Sequence, residues 1–189
     1  MGRYRNTGLA RGTSGSPQRS KENSELEKKV RHLSEELSLE KKEREEKRLE
    51  QGIRELENAK VKFKKEDVLF VTRDKTGQLI WLEKGNKIAG LDHILHGDGK
   101  RKKGHEDDFV AKHKIGREKV VDHIRKVIAY GKVEYSTIKI KKGKPGYEKL
   151  YLYRGKYYMV GAIGLNGFVV SAYPVDSADA KERIEKNRK

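Results

Sequence analysis

The chain has 189 residues, of which 39% are charged and 34% hydrophobic, so it can form one domain of ordinary size plus an appendage but not two full domains. It contains no cysteine, which excludes disulfides, thiolate zinc sites and a cysteine nucleophile. No apolar run is long enough to span a membrane, and the basic N-terminus is followed by no apolar segment, so we expect neither a membrane span nor a standard signal peptide.

The positive charge is concentrated in the C-terminal two thirds of the chain. The formal net charge is +16, and residues 61–189 carry 30 Lys and Arg against 17 Asp and Glu, an excess of 13. Such a basic domain is typical of proteins that bind the phosphate backbone of nucleic acids, because each contact releases condensed counterions. The alternatives are a solubilising role or binding to a membrane surface. Nucleic acid is favoured because tyrosines, whose rings can stack on unpaired bases, are interleaved with Lys and Arg in strand-like segments.

The N-terminal third is predicted to contain a linker and a long helix. Residues 1–22 are rich in Gly, Ser, Arg and Lys, which predicts a disordered basic linker. Residues 23–60 are dominated by Glu, Lys, Arg and Leu, which predicts a long charged helix with Asn23 or Ser24 as its N-cap. Its apolar residues form two narrow stripes, Leu26, Val30, Leu33 and Leu37, and Leu49, Ile53 and Leu56.

This long helix is not a regular heptad repeat along its whole length. Residues 40–48 include no apolar side chain, so the repeat is interrupted between the two stripes. We interpret the helix as a weak coiled coil or a tether, through which the chain could self-associate. Gly52 is expected to be a soft spot, because glycine weakens a helix interior.

Residues 61–176 are predicted to form an α+β domain. Two β-favouring runs, Val68–Thr72 and Gln78–Leu82, flank a turn and predict a hairpin. A short helix is expected at Ile88–Leu95, and a second one at Gly116–Tyr130, where apolar residues recur with helical spacing and Gly131 ends the pattern.

The remainder of this domain reads as an antiparallel meander. Turn residues separate its strands, and Asn166-Gly167 is the strongest hairpin signal in the chain. Residues 177–189 are interpreted as a charged tail with helical potential. The fold class is therefore α+β, with helices before an antiparallel sheet. The predicted strands are Val133–Ile140, Lys149–Tyr153, Tyr157–Ile163 and Phe168–Tyr173.

Three of the six histidines gather around a Gly-rich basic loop, at His93, His96 and His105. Two imidazoles beside cations are what metal-free RNA cleavage requires: one removes a proton from the ribose 2′-OH, and the other protonates the leaving 5′-oxygen. The glycines of the loop allow backbone N–H groups to approach an anion, and Lys100 and Arg101 attract it.

Two other features remain open from the residues alone. A metal site could be assembled from His96, His105, Asp107, Asp108 and His113, although their spacing matches no helical ligand pair. At the end of the last predicted strand, Ser171 and Tyr173 lie on one face, where they could contact a base or a phosphate; alternatively, Tyr173 is an ordinary half-buried strand aromatic.

Taken together, these motifs resemble those of the bacterial toxin-type EndoU nucleases and, more broadly, the barnase–EndoU–RelE superfamily of phage-borne and polymorphic toxins. The resemblance covers residues 67–176 and rests on His93-Ile-Leu-His-Gly-Asp, Gly104-His105 and Ser171-Ala-Tyr173-Pro174. It implies that His93 and His105 form the acid/base pair. It also implies that Ser171 helps to select the base and that Tyr173 stacks on or orients the nucleotide.

The family also uses a lysine near the scissile phosphate, for which Lys132 and Lys156 are the candidates here. The chain departs from the family by having one glycine before the second histidine, and by lacking an aromatic-Pro segment after it.

The resemblance implies a toxin endoribonuclease that acts on RNA, with tRNA as one target class, and leaves a 2′,3′-cyclic phosphate. It would need no metal or other cofactor, would act in the cytoplasm of a producer or target cell, and would require an acidic immunity or antitoxin protein. Two alternatives are a non-enzymatic, basic nucleic-acid-binding adaptor whose long helix docks on another protein, and a metal-dependent DNase.

Overall fold

The computed structural model describes residues 17–99, 103–141 and 143–187 and divides the chain into two units, residues 1–46 and 47–189. The long helix α1 spans Pro17–Asn58, so it begins six residues before the predicted cap at Asn23. Proline suits the first turn of a helix, where its missing N–H costs nothing. Part of the predicted linker is therefore helical, and residues 1–16 lie outside the described residues.

In the first unit, α1 presents its apolar stripe to solvent. Leu26, Val30, Leu33 and Leu37 are each exposed by 58–65%. The interruption predicted at residues 40–48 does not break the helix. Ion pairs one turn apart, such as Arg44–Glu40 at 2.9 Å, support the backbone there.

The second unit is α+β, as predicted. None of the described helices combines the length and the apolar composition that crossing a membrane requires. The elements are α1 in its last turns, then β1 Val68–Arg73, β2 Leu79–Glu83, α2 Leu91–His96, α3 Val120–Tyr130, β3 Lys132–Lys141, β4 Lys144–Tyr153, β5 Lys156–Gly164, β6 Ser171–Val175 and α4 Ser177–Asn187.

The predicted hairpin is confirmed as β1 and β2, and one of its faces receives the end of α1. The second apolar stripe of the helix packs there against Val68, Val71 and Trp81. Gly52 lies at this contact, since a Cβ built on it would come within 2.4 Å of the Val71 Cβ. Gly52 therefore allows close packing between helix and hairpin, which differs from the predicted soft spot.

Strands β3 to β6 form the predicted meander, but β4 begins at Lys144 instead of Lys149, and the last strand begins at Ser171 instead of Phe168. The chain before it pairs with β2: the backbone N–H of Trp81 donates to Gly167 O, and that of Val169 donates to Trp81 O, each at 3.0 Å. The indole Nε1 of Trp81 also donates to Asn166 O. The connection between β5 and β6 thus links the hairpin to the sheet.

Both faces of the four-stranded sheet are packed. On one face, α3 buries Ile124, Val127 and Ile128 against a core that includes Tyr151 and Val160. On the other face, α4 buries Ala180 and Ile184 against Leu150, Met159 and Val175. The predicted charged tail is therefore a helix that shares the core of the domain.

A buried carboxylate connects the hairpin turn to the sheet. Asp74 is 5% exposed, and its Oδ1 accepts hydrogen bonds from the backbone N–H groups of Thr76 and Gln78 and from the Thr76 hydroxyl. Its Oδ2 accepts hydrogen bonds from Lys149 Nζ and from the Tyr151 hydroxyl, both on β4. Burial alone would raise the pKa of Asp74, but these donors lower it, so the carboxylate is ionised.

We predict that Asp74→Asn lowers the free energy of unfolding by about 3–5 kcal/mol, because it leaves the Lys149 ammonium buried without its counter-charge. Urea denaturation at neutral pH measures this change. As a control, Glu182→Gln removes an exposed pair with Lys186 and should leave the stability nearly unchanged. Equal effects of the two substitutions would contradict this role of Asp74.

A second prediction concerns His123 on α3, whose Nε2 is buried without a hydrogen-bond partner among the described residues. Burial, and secondarily the nearby His113, lowers the pKa of His123 from 6.5 to about 4. Between these values the unfolded chain binds a proton that the folded chain does not, so stability falls as the pH falls. After allowing for partial exposure, we expect a loss of about 1–2 kcal/mol.

Unfolding measured between pH 7 and about 4.5 tests this prediction. His123→Phe should flatten the pH dependence, whereas His32→Ala, on the exposed face of α1, should leave it unchanged. A residual slope is expected, because burial also lowers the pKa of His113. An unchanged slope in His123→Phe would show that this ring is not the titrating group.

Candidate active site

The Gly-rich loop returns to α2, and this places His105. Gly97 and Lys103 pair as an antiparallel bridge across the base of the loop, and the backbone N–H of His105 donates to Ile94 O at 2.7 Å. A side chain at Gly104 cannot be accommodated, because a Cβ there would lie 1.7 Å from Leu95 O. The glycine before His105 is thus needed for a close backbone approach.

His105 is oriented by a carboxylate. Its Nδ1 lies 2.9 Å from Asp108 Oδ2, and the other carboxylate oxygen of Asp108 accepts a hydrogen bond from Lys112. Burial would raise the pKa of Asp108, but the hydrogen bonds from Lys112 and His105 lower it. Asp108 is therefore a carboxylate, so Nδ1 of His105 donates and Nε2 is left to face a ligand.

A π-helical turn at Asp108–Lys112 follows directly, with the carboxylate of Asp108 at its start and Lys112 at its end. It buries Phe109 in the core and leaves Asp108 and Lys112 at its surface. Wide turns of this kind occur frequently at functional sites. Neither the turn nor this role of Asp108, which is a candidate metal ligand by sequence, was predicted. The signal available in the sequence is the position of Asp108 three residues after His105.

The ring of His105 stacks on Tyr173 of β6. The ring centroids are 4.5 Å apart and the planes are inclined by 21°. These residues are 68 positions apart in sequence, and the fold brings their rings into contact. Because one face of the Tyr173 ring packs on His105, this tyrosine orients the imidazole.

His93 lies on α2, on the side away from the apolar residues Leu91 and Ile94. Its Nδ1 lies 2.9 Å from Lys87 O, and a carbonyl oxygen can only accept, so this nitrogen donates and Nε2 carries the lone pair of the neutral ring. No hydrogen bond or ring contact joins His93 to His105 or Tyr173 in the described part of the chain. What connects them is the backbone bond from His105 to Ile94, the residue next to His93.

The side chain of the neighbouring His96 contacts two carboxylates. It is 54% exposed, its Nδ1 lies 2.9 Å from Asp92 Oδ1, and its Nε2 lies 3.7 Å from Glu106 Oε2.

Ser171 is half-buried at the start of β6, opposite Gly161 and two residues from Tyr173 on the same face of the strand. Among the described residues, no set of three His, Asp or Glu side chains is arranged to hold a metal ion.

Of the two lysines proposed for the scissile phosphate, Lys132 lies apart from the His105–Tyr173 pair. Lys132 begins β3, the opposite edge strand from β6, and its Nζ pairs with Glu134 at 3.1 Å. Three strand spacings, about 14 Å, separate the two edges. Lys156 begins β5. Burial, and secondarily the positive charge of Lys156, lowers the pKa of His113. Lys100 and Arg101 lie outside the described residues.

Other charged groups surround Tyr173 instead. Burial raises the pKa of the Tyr173 hydroxyl, and the charges that act on it are those of Arg183, Glu148 and Lys139. Glu148 is 8% exposed and pairs with Lys139 at 2.6 Å across β3 and β4. Sequence reasoning missed this set, because Arg183 was assigned to a tail and the strand pairing was not known.

Comparison with protein-family models gave no match, and comparison with curated proteins gave none either.

Proposed function

We propose that residues 61–176, completed by α4, form a metal-independent endoribonuclease of the toxin type. The observation that carries the proposal is the His105 imidazole held between the Asp108 carboxylate and the Tyr173 ring. A histidine whose Nδ1 is fixed by a carboxylate is a recurrent form of general acid or base, because the carboxylate orients the ring and stabilises its protonated form. The basic charge of the domain supports RNA as the substrate.

The proposed reaction uses two imidazoles. One Nε2 removes the proton from the ribose 2′-OH, and the resulting oxygen attacks the adjacent phosphorus. The bond from phosphorus to the 5′-oxygen breaks, and this oxygen receives a proton from the other imidazolium. The products are a 2′,3′-cyclic phosphate and a 5′-hydroxyl. The step consumes no water, and the proposed mechanism uses no metal ion. His105 and His93 are the proposed pair, since the Nδ1 of each is occupied by an acceptor.

Two further residues have proposed roles in substrate recognition. Ser171 shares the strand face of Tyr173, from which its hydroxyl could select a base. Tyr173 is proposed to position His105 and to close one side of the site. A domain with this charge excess would bind an acidic immunity or antitoxin protein rapidly, because opposite charges steer association.

We predict that the wild-type protein cleaves RNA in the presence of EDTA and that His105→Ala lowers the cleavage rate by about two to four orders of magnitude. The measurement is fragment production from total RNA, with detection of 2′,3′-cyclic phosphate ends. His93→Ala should give a comparable loss, whereas His96→Ala, which removes an exposed neighbouring imidazole, should retain most of the activity.

Wild-type protein that binds RNA but leaves it intact, with EDTA or with added Mn²⁺, would contradict the nuclease and favour the adaptor. Cleavage of plasmid DNA that stops on chelation would favour the metal-dependent DNase. If His93→Ala alone remains active, the partner of His105 is another group.

We also propose that the exposed stripe of α1 pairs with a second copy of the chain as a short parallel coiled coil. With Asn23, Val30 and Leu37 at the a positions and Leu26 and Leu33 at the d positions, the pattern is one that favours two strands. In this register, Glu36 of each helix faces Lys41 of the other, which adds charge complementarity.

For this helix we predict that Leu33→Glu converts a dimer to a monomer in sedimentation equilibrium, because it places a charge in the seam. Leu39→Glu is the matched control: Leu39 is exposed to the same degree, 59% against 58%, but lies outside the stripe, so the dimer should persist. A wild-type chain that is monomeric at micromolar concentration, or equal effects of both substitutions, would contradict self-association through this stripe.

A further inference from the structure

The turn between β2 and α2 fixes the backbone on either side of Lys87. The backbone N–H of Asn86 donates to Ala89 O at 2.8 Å, and the side-chain oxygen of Asn86 accepts a hydrogen bond from the Ile88 N–H. The turn is tight, since a Cβ built on Gly85 would lie 2.0 Å from Ala89 O. The side chain of Lys87 is exposed on this turn. Its position therefore depends on a backbone that local hydrogen bonds hold in place.

Lys87 contacts the proposed active site through both its backbone and its side chain. Its carbonyl oxygen accepts the hydrogen bond from His93 Nδ1 at 2.9 Å. Its ammonium lies beside the start of the Gly-rich loop, where Nζ is 3.9 Å from a Cβ built on Gly99. One residue thus orients the imidazole of His93 and also places a positive charge next to the loop.

The space beside Gly99 is open on the side of the Lys87 ammonium. Gly99 has a φ of +71°, in the left-handed region that glycine adopts without strain. Apart from the chain neighbours of Gly99, this ammonium is the only described group within 4 Å of the Cβ position. An anion can approach a glycine backbone closely, and a lysine ammonium is a common partner of phosphate oxygens. The open space and the charge together suit a phosphate group.

The charge of Lys87 is available to a ligand, because no described carboxylate lies within ion-pair distance of its ammonium. The neighbouring Lys84 differs, since its Nζ lies 3.7 Å from Asp67 Oδ1. Other surface lysines also have no acidic partner, so this property alone does not identify a site. What distinguishes Lys87 is its hydrogen bond with His93 and its position beside Gly99.

We propose that Lys87 binds a backbone phosphate of single-stranded RNA, in the open space between its ammonium and Gly99. This inference rests on the proposed function and deepens it, since it names a group that holds the RNA backbone beside His93. The two parts of Lys87 then serve the same site: the carbonyl orients the imidazole, and the ammonium holds the substrate next to it. A side-chain substitution removes the second role and leaves the first, because the carbonyl belongs to the backbone.

The test measures binding without cleavage. The probe is a short, fluorescein-labelled 2′-O-methyl oligoribonucleotide, which lacks the attacking hydroxyl. Its dissociation constant is determined by anisotropy over a series of KCl concentrations for the full chain and its variants. Loss of one phosphate contact on a single strand should lower the slope of log K against log salt by about 0.7.

Lys87→Gln should lower the slope by this amount and weaken binding about fivefold at about 0.1 M KCl, which is the effect of that slope over one decade of salt. Lys87→Arg should retain the slope, because it keeps the charge. The control Lys75→Gln removes one positive charge from an exposed turn at the opposite end of β2, and it should change neither quantity by more than a small fraction. Thermal unfolding should be the same for all variants, since both lysines are exposed.

Equal losses in Lys87→Gln and Lys75→Gln, or an unchanged slope in Lys87→Gln, would overturn the phosphate site. These outcomes are distinct from failure of the proposed nuclease. If wild-type protein cleaves RNA but Lys87→Gln binds normally, the subsite is wrong and the nuclease stands. If wild-type protein does not cleave but shows the Lys87-specific loss, the phosphate site stands and the catalytic proposal falls.

Discussion

The Asp74 carboxylate is the interaction on which the arrangement of the second unit depends. Five donors converge on it, three from its own hairpin turn and two from β4. The ammonium of Lys149 is as deeply buried as the carboxylate, so neither charge is stable there without the other. Burial, and secondarily the charge and hydrogen bond of Asp74, raises the pKa of Tyr151. A single side chain thus shapes a turn and fixes that turn on the sheet that carries Tyr173.

Local patterns were sufficient to predict the elements of the fold, and long-range pairing accounts for the differences. The hairpin and α3 follow from apolar periodicity and turn residues, since neighbouring residues determine both. The start of β6 could not be predicted, because Gly167 and Val169 form backbone hydrogen bonds with Trp81 of β2, far away in sequence. Nor could the packing of α4, which buries only Ala180 and Ile184 among many charged residues. Val71 packs so closely on position 52 that only a glycine fits there, and the sequence of the helix alone does not reveal this contact.

The candidate site was predictable to a similar extent. The motif resemblance brought His105 and Tyr173 into one hypothesis, and they are in contact. The supporting group depends on local geometry: Asp108 lies three residues after His105 and contacts its Nδ1. The choice of Lys132 or Lys156 could not be decided from sequence, because strand order and the face of each side chain determine which cations are near β6.

The contact between Trp81 and the β5–β6 connection has a consequence for the time at which the site forms. The hydrogen bond from its indole to Asn166 joins residues 85 positions apart, so closing it carries a large loop-closure cost. Synthesis proceeds from the N-terminus, and β1, β2 and α2 leave the ribosome long before β6 and α4. Until these last elements emerge and dock, His105 has no Tyr173 to pack on. The stacked His105–Tyr173 pair therefore forms only after the whole domain has been translated.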